Sequence, residues 1–455
     1  MAVNYLDKWQ LNGTEVLIAD YGKGRANGVI PLNEDGKIGT SYLTADLVNN
    51  LKVSPDDPYD DLFPVWVQKV ASQEFRNRGK TFSSILNSSS RYVVYFKGVY
   101  VAGLANGFWW SENTINWTQG KSATSGIMSG YAIKPDTIMV AGLFNGGIWW
   151  SEDGKSWTKS TLSSGTTNLN ADTILYANGL FVAPTRNAGI WWSEDGKVWT
   201  QGLSGVAAAQ NVIYENETFI CNLKSGLIYW SEDGKTWTLC TGTTSSIGAL
   251  TELHYFNHLF LACGGVYSNT SERQTSKNIY WSLDGRSWTQ ATGLTNIVAY
   301  TMVQHNGILV CGSTSGVWWS EDGKVWTQVS NIASTYNIGC VIYANGLWVC
   351  GGKNSGDSSC NVWWSIDGKT WTQGTVNDAV FDHMPGVSSN LQYHNGVFSN
   401  GKAWSKDGKI WYGTTLSSTI LEIDSLYYVN DIWFVGPRDS SGTFISKGQA
   451  WTPYY

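Results

Sequence analysis

One eleven-residue string recurs along this chain almost unchanged. It reads IWWSEDGKSWT at 148–158, IWWSEDGKVWT at 190–200, IYWSEDGKTWT at 228–238, IYWSLDGRSWT at 279–289, VWWSEDGKVWT at 317–327 and VWWSIDGKTWT at 362–372. Weaker copies are FWWSENTINWT (108–118), KAWSKDGKIWY (402–412) and FISKGQAWT (444–452). The motif serines follow one another at intervals of 40, 42, 38, 51, 38, 45, 40 and 41 residues. Units this short cannot each bury an apolar face alone, so they must stack on one another.

A second element precedes each motif. It reads YFKGVYVAG (95–103), LYANGLFVA (175–183), IYENETFIC (213–221), YFNHLFLACG (255–264), VQHNGILVCG (303–312), IYANGLWVCG (342–351), QYHNGVFSNG (392–401) and YYVNDIWFVG (427–436). Two apolar runs flanking Asn-Gly are a strong hairpin signal, because both residues tolerate the positive φ of a type I′ turn. Each unit therefore holds two hairpins, the first turning at Asn-Gly and the second at Asp-Gly-Lys. Four strands in about 40–45 residues is the period of a propeller blade. The expected fold is all-β, a β-propeller of about nine four-stranded blades with a small N-terminal attachment region. Phe75–Ser83 aligns with the turn motif about one period upstream. It is either a degenerate extra blade or a strand that closes the ring, which leaves eight or ten blades open.

Composition agrees. The 455 residues include 50 glycines and 26 tryptophans, and 15% are charged, against about 25% in an average domain. A net charge of −6 argues against a phosphate-binding nucleic-acid protein, which needs a basic stripe. No basic, apolar leader opens the chain and no apolar run approaches the about 18 residues of a membrane span. The expectation is no signal peptide and no membrane insertion.

The repeated residues have structural uses. Asp at a turn accepts backbone N–H bonds two residues on, and Gly takes positive φ. The role expected for Ser151, Asp153, Gly154 and Trp157, and for Ser193, Asp195, Gly196 and Trp199, is to build the second hairpin, its Trp packing on the next blade. Strand alternation sends Trp149 and Trp150 to opposite sides of a sheet. Both sides are covered in a propeller, so core packing outweighs a sugar-stacking role for the doublets. Glu152-Asp153 and its equivalents read as turn and solvent residues rather than calcium ligands. Cys221, Cys263, Cys311 and Cys350 share one repeat position with Ala102, Ala141, Ala183 and Ser399. That position selects small side chains, not thiol chemistry. His254, His258, His305, His383 and His394 show no metal-ligand spacing, and His305 and His394 stand beside hairpin turns. No metal or cofactor is expected.

The motif Ser151-x-Asp153-Gly154-x-x-Trp157 resembles the Asp-box of sialidases and related propellers, one residue shorter. In those families the box is structural and lies away from the active site. Sialidases also need an arginine cluster, a nucleophilic Tyr and carboxylates. Here the repeats hold only Arg91, Arg186, Arg273, Arg286 and Arg438, and Arg286 merely replaces a turn Lys. Catalysis is not expected.

In a four-stranded meander the two hairpin turns share one face of the ring. The connections between second and third strands, and between blades, share the other. The first set is uniform. The second varies, as in 143–147, 185–189, 265–278, 352–361, 159–172, 290–296 and 373–389. Binding residues concentrate on variable loops held by a rigid scaffold. Candidate ligand contacts are Phe144, Asn145, Arg186, Asn187, Tyr267, Arg273, Tyr336, Lys353, Phe381 and His383.

Residues 1–60 lack the repeat, and their notable stretch is 22–43. Asn27, Gly28, Val29, Pro31, Leu32, Gly36, Lys37, Ile38, Tyr42 and Leu43 match a motif that resembles one of phage tail fibres; Thr44 stands where those proteins often have Pro. Residues 54–64, acidic and Pro-bearing, read as a linker. The expected organisation is an attachment region (1–53), the linker (54–64) and the propeller (65–455, full repeats from 92). The resemblance implies a tail fibre or receptor-binding protein of a virion tail, assembled in the host cytoplasm. Its partners would be a host cell-surface glycan or protein and, through the N-terminus, other tail or baseplate proteins, with a homotrimer among the implied states. The alternatives are a free carbohydrate-binding lectin and, behind it, a sialidase-like glycosidase.

Overall fold

Two adjacent residues with positive φ are needed at the tip of a tight hairpin, and the repeat supplies them. Asn178 and Gly179 adopt φ of 49° and 77°, and Asn345 and Gly346 adopt 51° and 74°, the type I′ signature that matches strand twist. In the computed structural model the described residues are 8–11, 14–17, 83–86, 92–104, 106–120, 128–163, 169–206, 209–244, 250, 252–264, 279–294, 297–356, 360–376, 391–400, 403–413, 423–430, 432–437 and 443–447. The chain divides into two compact units, Met1–Arg78 and Gly79–Tyr455. In the first, Lys8–Leu11 pairs antiparallel with Thr14–Leu17. The tail-fibre-like motif (22–43) and the linker (54–64) lie outside the described residues.

The second unit is a β-propeller of nine antiparallel sheets. Blade 1 shows the pattern. Val93–Phe96, Val99–Leu104, Gly107–Ser111 and Thr118–Gln119 pair in sequence order. Blades 2 (128–159), 3 (175–203), 4 (209–239), 5 (252–290), 6 (299–328), 7 (336–373) and 8 (392–413) repeat it, and blades 3 and 8 carry a fifth, parallel edge strand, Thr161–Leu162 and Thr375–Val376. Blade 9 differs. Its first three strands, Ile423–Val429, Ile432–Pro437 and Thr443–Lys447, are followed in space by Ser83–Leu86. The fourth strand thus comes from the N-terminal side of the repeats, where the sequence left open an extra blade or a closing strand. The part of the last motif beyond Lys447 lies outside the described residues.

The core lies between blades. One apolar cluster joins Leu259, Leu261 and Cys263 of blade 5 to Met302, Leu309 and Trp326 of blade 6. Another joins Tyr100 and Ala102 of blade 1 to Phe434 of blade 9. Tyr92 and Tyr427 meet at 5.7 Å across that last seam, so the ring is closed.

The second hairpin is built as its residues dictate. Ser151 Oγ accepts from Gly154 N–H at 2.8 Å and donates to Asp153 Oδ1 at 3.0 Å. That oxygen also accepts from the N–H groups of Lys155 (2.8 Å) and Ser156 (2.7 Å). Ser193, Asp195 and Gly196 make the same bonds, and Trp199 Nε1 donates to Gly196 O at 3.1 Å. Gly154 has φ +73°, and a Cβ there would lie 2.7 Å from Val99 Cγ2 of blade 1. Trp157 stacks on Phe108 of blade 1 at 3.8 Å. Its partner is the preceding blade, not the next one expected from the sequence.

The tryptophan doublet splits as alternation requires. Trp149 joins the cluster between blades 1 and 2, and Trp150 packs against the one between blades 2 and 3. Lys197 of blade 3 places its ammonium 4.4 Å from the Trp150 ring and 2.6 Å from Glu152. Lys155, Lys235, Arg286 and Lys369 repeat this Trp–cation–Glu seam. Glu152 and its equivalents are therefore inter-blade ties. The Lys197 hydrogen bond and charge hold the Glu152 carboxyl below its usual range. All seven cysteines are buried, and burial pushes the Cys240 thiol up to about 12. His305 and His394 are half-buried, stacked on Tyr343 (3.5 Å) and Tyr428 (4.7 Å), rather than standing free at their turns.

Candidate functional site

Three segments meet on the variable-loop face at the seam of blades 2 and 3. The turn after Ile138–Leu143 brings Phe144 and Asn145, the latter at φ +58°. The turn after Leu180–Thr185 brings Arg186 and Asn187. The connection between the two blades passes between them and contributes Asn170 and Asp172.

Asn170 is the hub. Its Oδ1 accepts from the backbone N–H of Asn145 at 2.7 Å, and its Nδ2 donates to Asn145 Oδ1 at 3.0 Å. Its carbonyl accepts from Arg186 N–H at 2.9 Å, and its own N–H donates to Asn187 Oδ1 at 3.2 Å. Arg186 Nε pairs with the Asp172 carboxylate. The guanidinium stands 5.4 Å from the centre of the Phe144 ring, a cation–π distance. Phe144 remains 41% exposed and the Arg186 side chain 47% exposed. Thus an apolar ring, a planar cation and the Asn145 and Asn187 amides stand side by side in the open, over a half-buried Asn170 and Asp172. Such a surface can stack on a ligand's apolar face and hydrogen-bond its hydroxyls.

Four of the ten candidates read from sequence therefore come together here. Tyr336 and Lys353 do not join them, for they belong to blade 7. There Tyr336 sits edge-on to Trp363 at 4.7 Å and its hydroxyl accepts from Asn361 Nδ2 at 2.8 Å. Lys353 lies opposite Asn337 in the same blade. Tyr267, Arg273, Phe381 and His383 lie outside the described residues. Asn170 and Asp172 were not singled out in the sequence. The available signal was their place in a polar connection flanked by two variable turns.

The opposite face differs in kind. Its second-hairpin turns repeat the same hydrogen bonds from blade to blade; five of its cations lie in the Trp–Glu seams described above, and Lys324 and Lys409 stand over Trp281 and Trp364.

No protein-family model matches the sequence, and no curated protein does. Solved structures similar to the chain include the computationally designed Ika8 protein (13% identity, 81% of this chain and 99% of that one, TM-score 0.49). YCF48 from Cyanidioschyzon merolae has 13% identity over 73% of this chain and 98% of its own, with a TM-score of 0.41. BamB from Moraxella catarrhalis has 9% identity over 80% of this chain and 99% of its own, with a TM-score of 0.45. YCF48 and BamB are β-propeller proteins, and at these identities the likeness concerns fold alone.

Proposed function

We propose that this chain is a receptor-binding protein of a phage or phage-like particle. Its loop face recognises a cell-surface glycan without cleaving it, and residues 1–53 attach it to the particle. The observation that carries the reading is the cluster of exposed Phe144 and Arg186 over Asp172 and Asn170. An aromatic ring beside fixed amide and charged groups suits the alternating apolar and hydroxyl surfaces of a sugar. The cluster holds one carboxylate, Asp172, already tied to Arg186, whereas glycoside hydrolysis ordinarily uses a pair. That supports binding over catalysis. Attachment rests on the resemblance of residues 22–43 to tail-fibre sequences. Several copies on one particle would turn weak single contacts into strong avidity.

The test is binding of the full chain to intact bacterial cells and to arrayed surface glycans. Arg186→Ala and Phe144→Ala are each expected to weaken binding at least about tenfold, or ~1.4 kcal/mol, with unchanged thermal stability. Release of reducing sugar from the glycan would overturn the non-enzymatic reading. Undiminished binding by both variants would remove the cluster as the receptor site.

A further inference from the structure

The first strands of blades 5 to 8 converge on a cavity of about 300 Å³. Four successive blades can share one cavity only at the ring's centre, so this is a part of the central channel. Its lining residues stand near the starts of those strands, which places it toward the variable-loop face. Its polar walls are Glu252 of blade 5, Tyr300 and Thr301 of blade 6, and Gln392 of blade 8, with Val341 and Leu391 supplying apolar surface. Two bulges shape it. The pairing register shifts between Ala299 and Thr301, and again between Ile338 and Cys340. The extra residues, Tyr300 and Gly339, both line the cavity. Bulges concentrate where a site is being shaped, and Gly339 contributes backbone without a side chain.

The walls are acceptor-rich and carry one formal charge. No Lys or Arg lines the cavity, so the Glu252 carboxylate has no cationic partner there. Its neighbour His254 has its Nε2 3.9 Å away, beyond hydrogen-bond reach, and that nitrogen has no hydrogen-bond partner among the described residues. Gln392 donates through Nε2 to Leu426 O at 2.6 Å, while its buried Oε1 has no partner among the described residues. A buried acceptor without a donor, as at Gln392 Oε1, is costly, and the partly exposed Glu252 carboxylate beside it has no Lys or Arg to neutralise it. A ligand bearing a positive charge and several donors would satisfy them together. A divalent metal would need more anionic or carbonyl oxygens than this wall presents, and no group of three His, Cys, Asp or Glu gathers among the described residues.

We propose that this channel pocket binds a small organic cation, a primary ammonium on a hydroxylated body such as an amino sugar, with Glu252 as its counter-charge. The volume lies at the small end of ligand sites, sufficient for one such molecule. Glu252 keeps 42% of its side-chain surface open to the channel while protein surrounds it. Although that much of the side chain is exposed, the protein around it limits its hydration and raises its carboxyl to about 7, and a bound ammonium would restore the charged form. This inference does not rest on the glycan reading of the loop cluster, since it concerns other blades and other residues.

The experiment is calorimetric titration of the full chain at pH 7 with glucosamine, N-acetylglucosamine and glucose, three probes differing at one substituent. Glucosamine is expected to saturate and to bind at least tenfold more tightly than the two neutral sugars. Glu252→Gln should remove at least tenfold of that affinity, and Arg186→Ala should leave it unchanged. Equal binding of all three sugars, no saturable glucosamine binding, or wild-type affinity in Glu252→Gln would overturn the proposal. So would loss of glucosamine binding in Arg186→Ala, which would place the ligand at the loop cluster. If Glu252→Gln fails to fold, the near-isosteric Thr301→Val takes its place. A severalfold loss of glucosamine affinity is then expected, and unchanged affinity counts against the pocket.

Discussion

At the residue scale the repeat contains its own mutational series. Blade 1 has Asn113 where blades 2 to 8 have Asp, and Asn113 Oδ1 still accepts from the N–H groups of Ile115 and Asn116, both at 2.9 Å. The turn therefore forms on a neutral acceptor oxygen as well as on a carboxylate, whose charge adds a smaller share. Asp153→Asn is expected to cost less than Asp153→Ala, which strands two N–H donors and a hydroxyl. We expect about 1–2 kcal/mol for the Ala variant and under about 0.5 kcal/mol for Asn, read from denaturant midpoints. Equal losses would mean that the carboxylate charge carries the larger share. Gly154 is a different case. Positive φ and the 2.7 Å approach of a Cβ to Val99 act together, so Gly154→Ala should cost about 2 kcal/mol or more. A neutral outcome in the same assay would contradict the close packing of this turn on blade 1.

At the element scale the ring depends on one short strand. Ser83–Leu86 pairs with Thr443–Lys447 through Ser83↔Ile445 and Ser84↔Phe444, tying opposite ends of the repeat region into blade 9. Without it the Thr443–Lys447 edge would be unpaired, and open edges aggregate. Replacing residues 83–86 by Gly-Ser-Gly-Ser in the full chain is expected to cost about 2–4 kcal/mol. The melting temperature should fall and light scattering on heating should rise; an unchanged melt would show that the ring does not need this strand. The hairpins themselves were legible in the sequence because turn chemistry is local. Asn178-Gly179 and Asp153-Gly154 each specify a backbone conformation without reference to the rest of the chain. The closing strand was only half legible, because its partner lies some 360 residues away and nothing in its own four residues names that partner. For the same reason the sequence aimed Trp157 at the next blade. Period and turn type define a blade, but not which seam its outer hairpin leans over.

At the scale of the whole molecule, one face is locked by repetition and the other is free to vary, and the sites follow that division. The variable turns at 144–145 and 186–187 could be read from sequence as exceptions to a regular pattern. That Asn170 and Asp172 bind them together could not, because it depends on the path of the connection between blades 2 and 3. Glu252 was invisible for a stronger reason. A single acid at the start of a strand becomes a channel group only once four blades surround it. Its titration gives a prediction for the entire ring. Burial raises Glu252 to about 7 and lowers its neighbour His254 to about 4. Between the usual carboxylate range and pH 7 the folded chain holds a proton at Glu252 that the unfolded chain has released, so this group lowers stability as pH rises. Between about pH 4 and the usual His value near 6.5 the unfolded chain holds a proton at His254 that the folded chain lacks. That group raises stability as pH rises. The two oppose and largely cancel from pH 5 to 6.5, and His394, which partial burial also lowers, adds a shallow rise with pH. Below that, six turn carboxylates dominate: Asp153, Asp195, Asp233, Asp284, Asp322 and Asp367. Burial pushes each up, but backbone N–H bonds and the motif serine more than offset it, leaving each below its usual value. Their contribution is complete above the unfolded pKa of about 3.9 and is lost as pH falls through the folded values. The melting temperature should therefore hold on a near-plateau and then drop steeply below about pH 4. In Glu252→Gln the opposing group is gone, and the near-plateau should tilt further, so that stability declines more steeply from pH 6.5 downward. A Glu252→Gln profile no steeper than that of the unaltered chain from pH 5 to 6.5 would show that Glu252 and His254 do not titrate against each other in the channel.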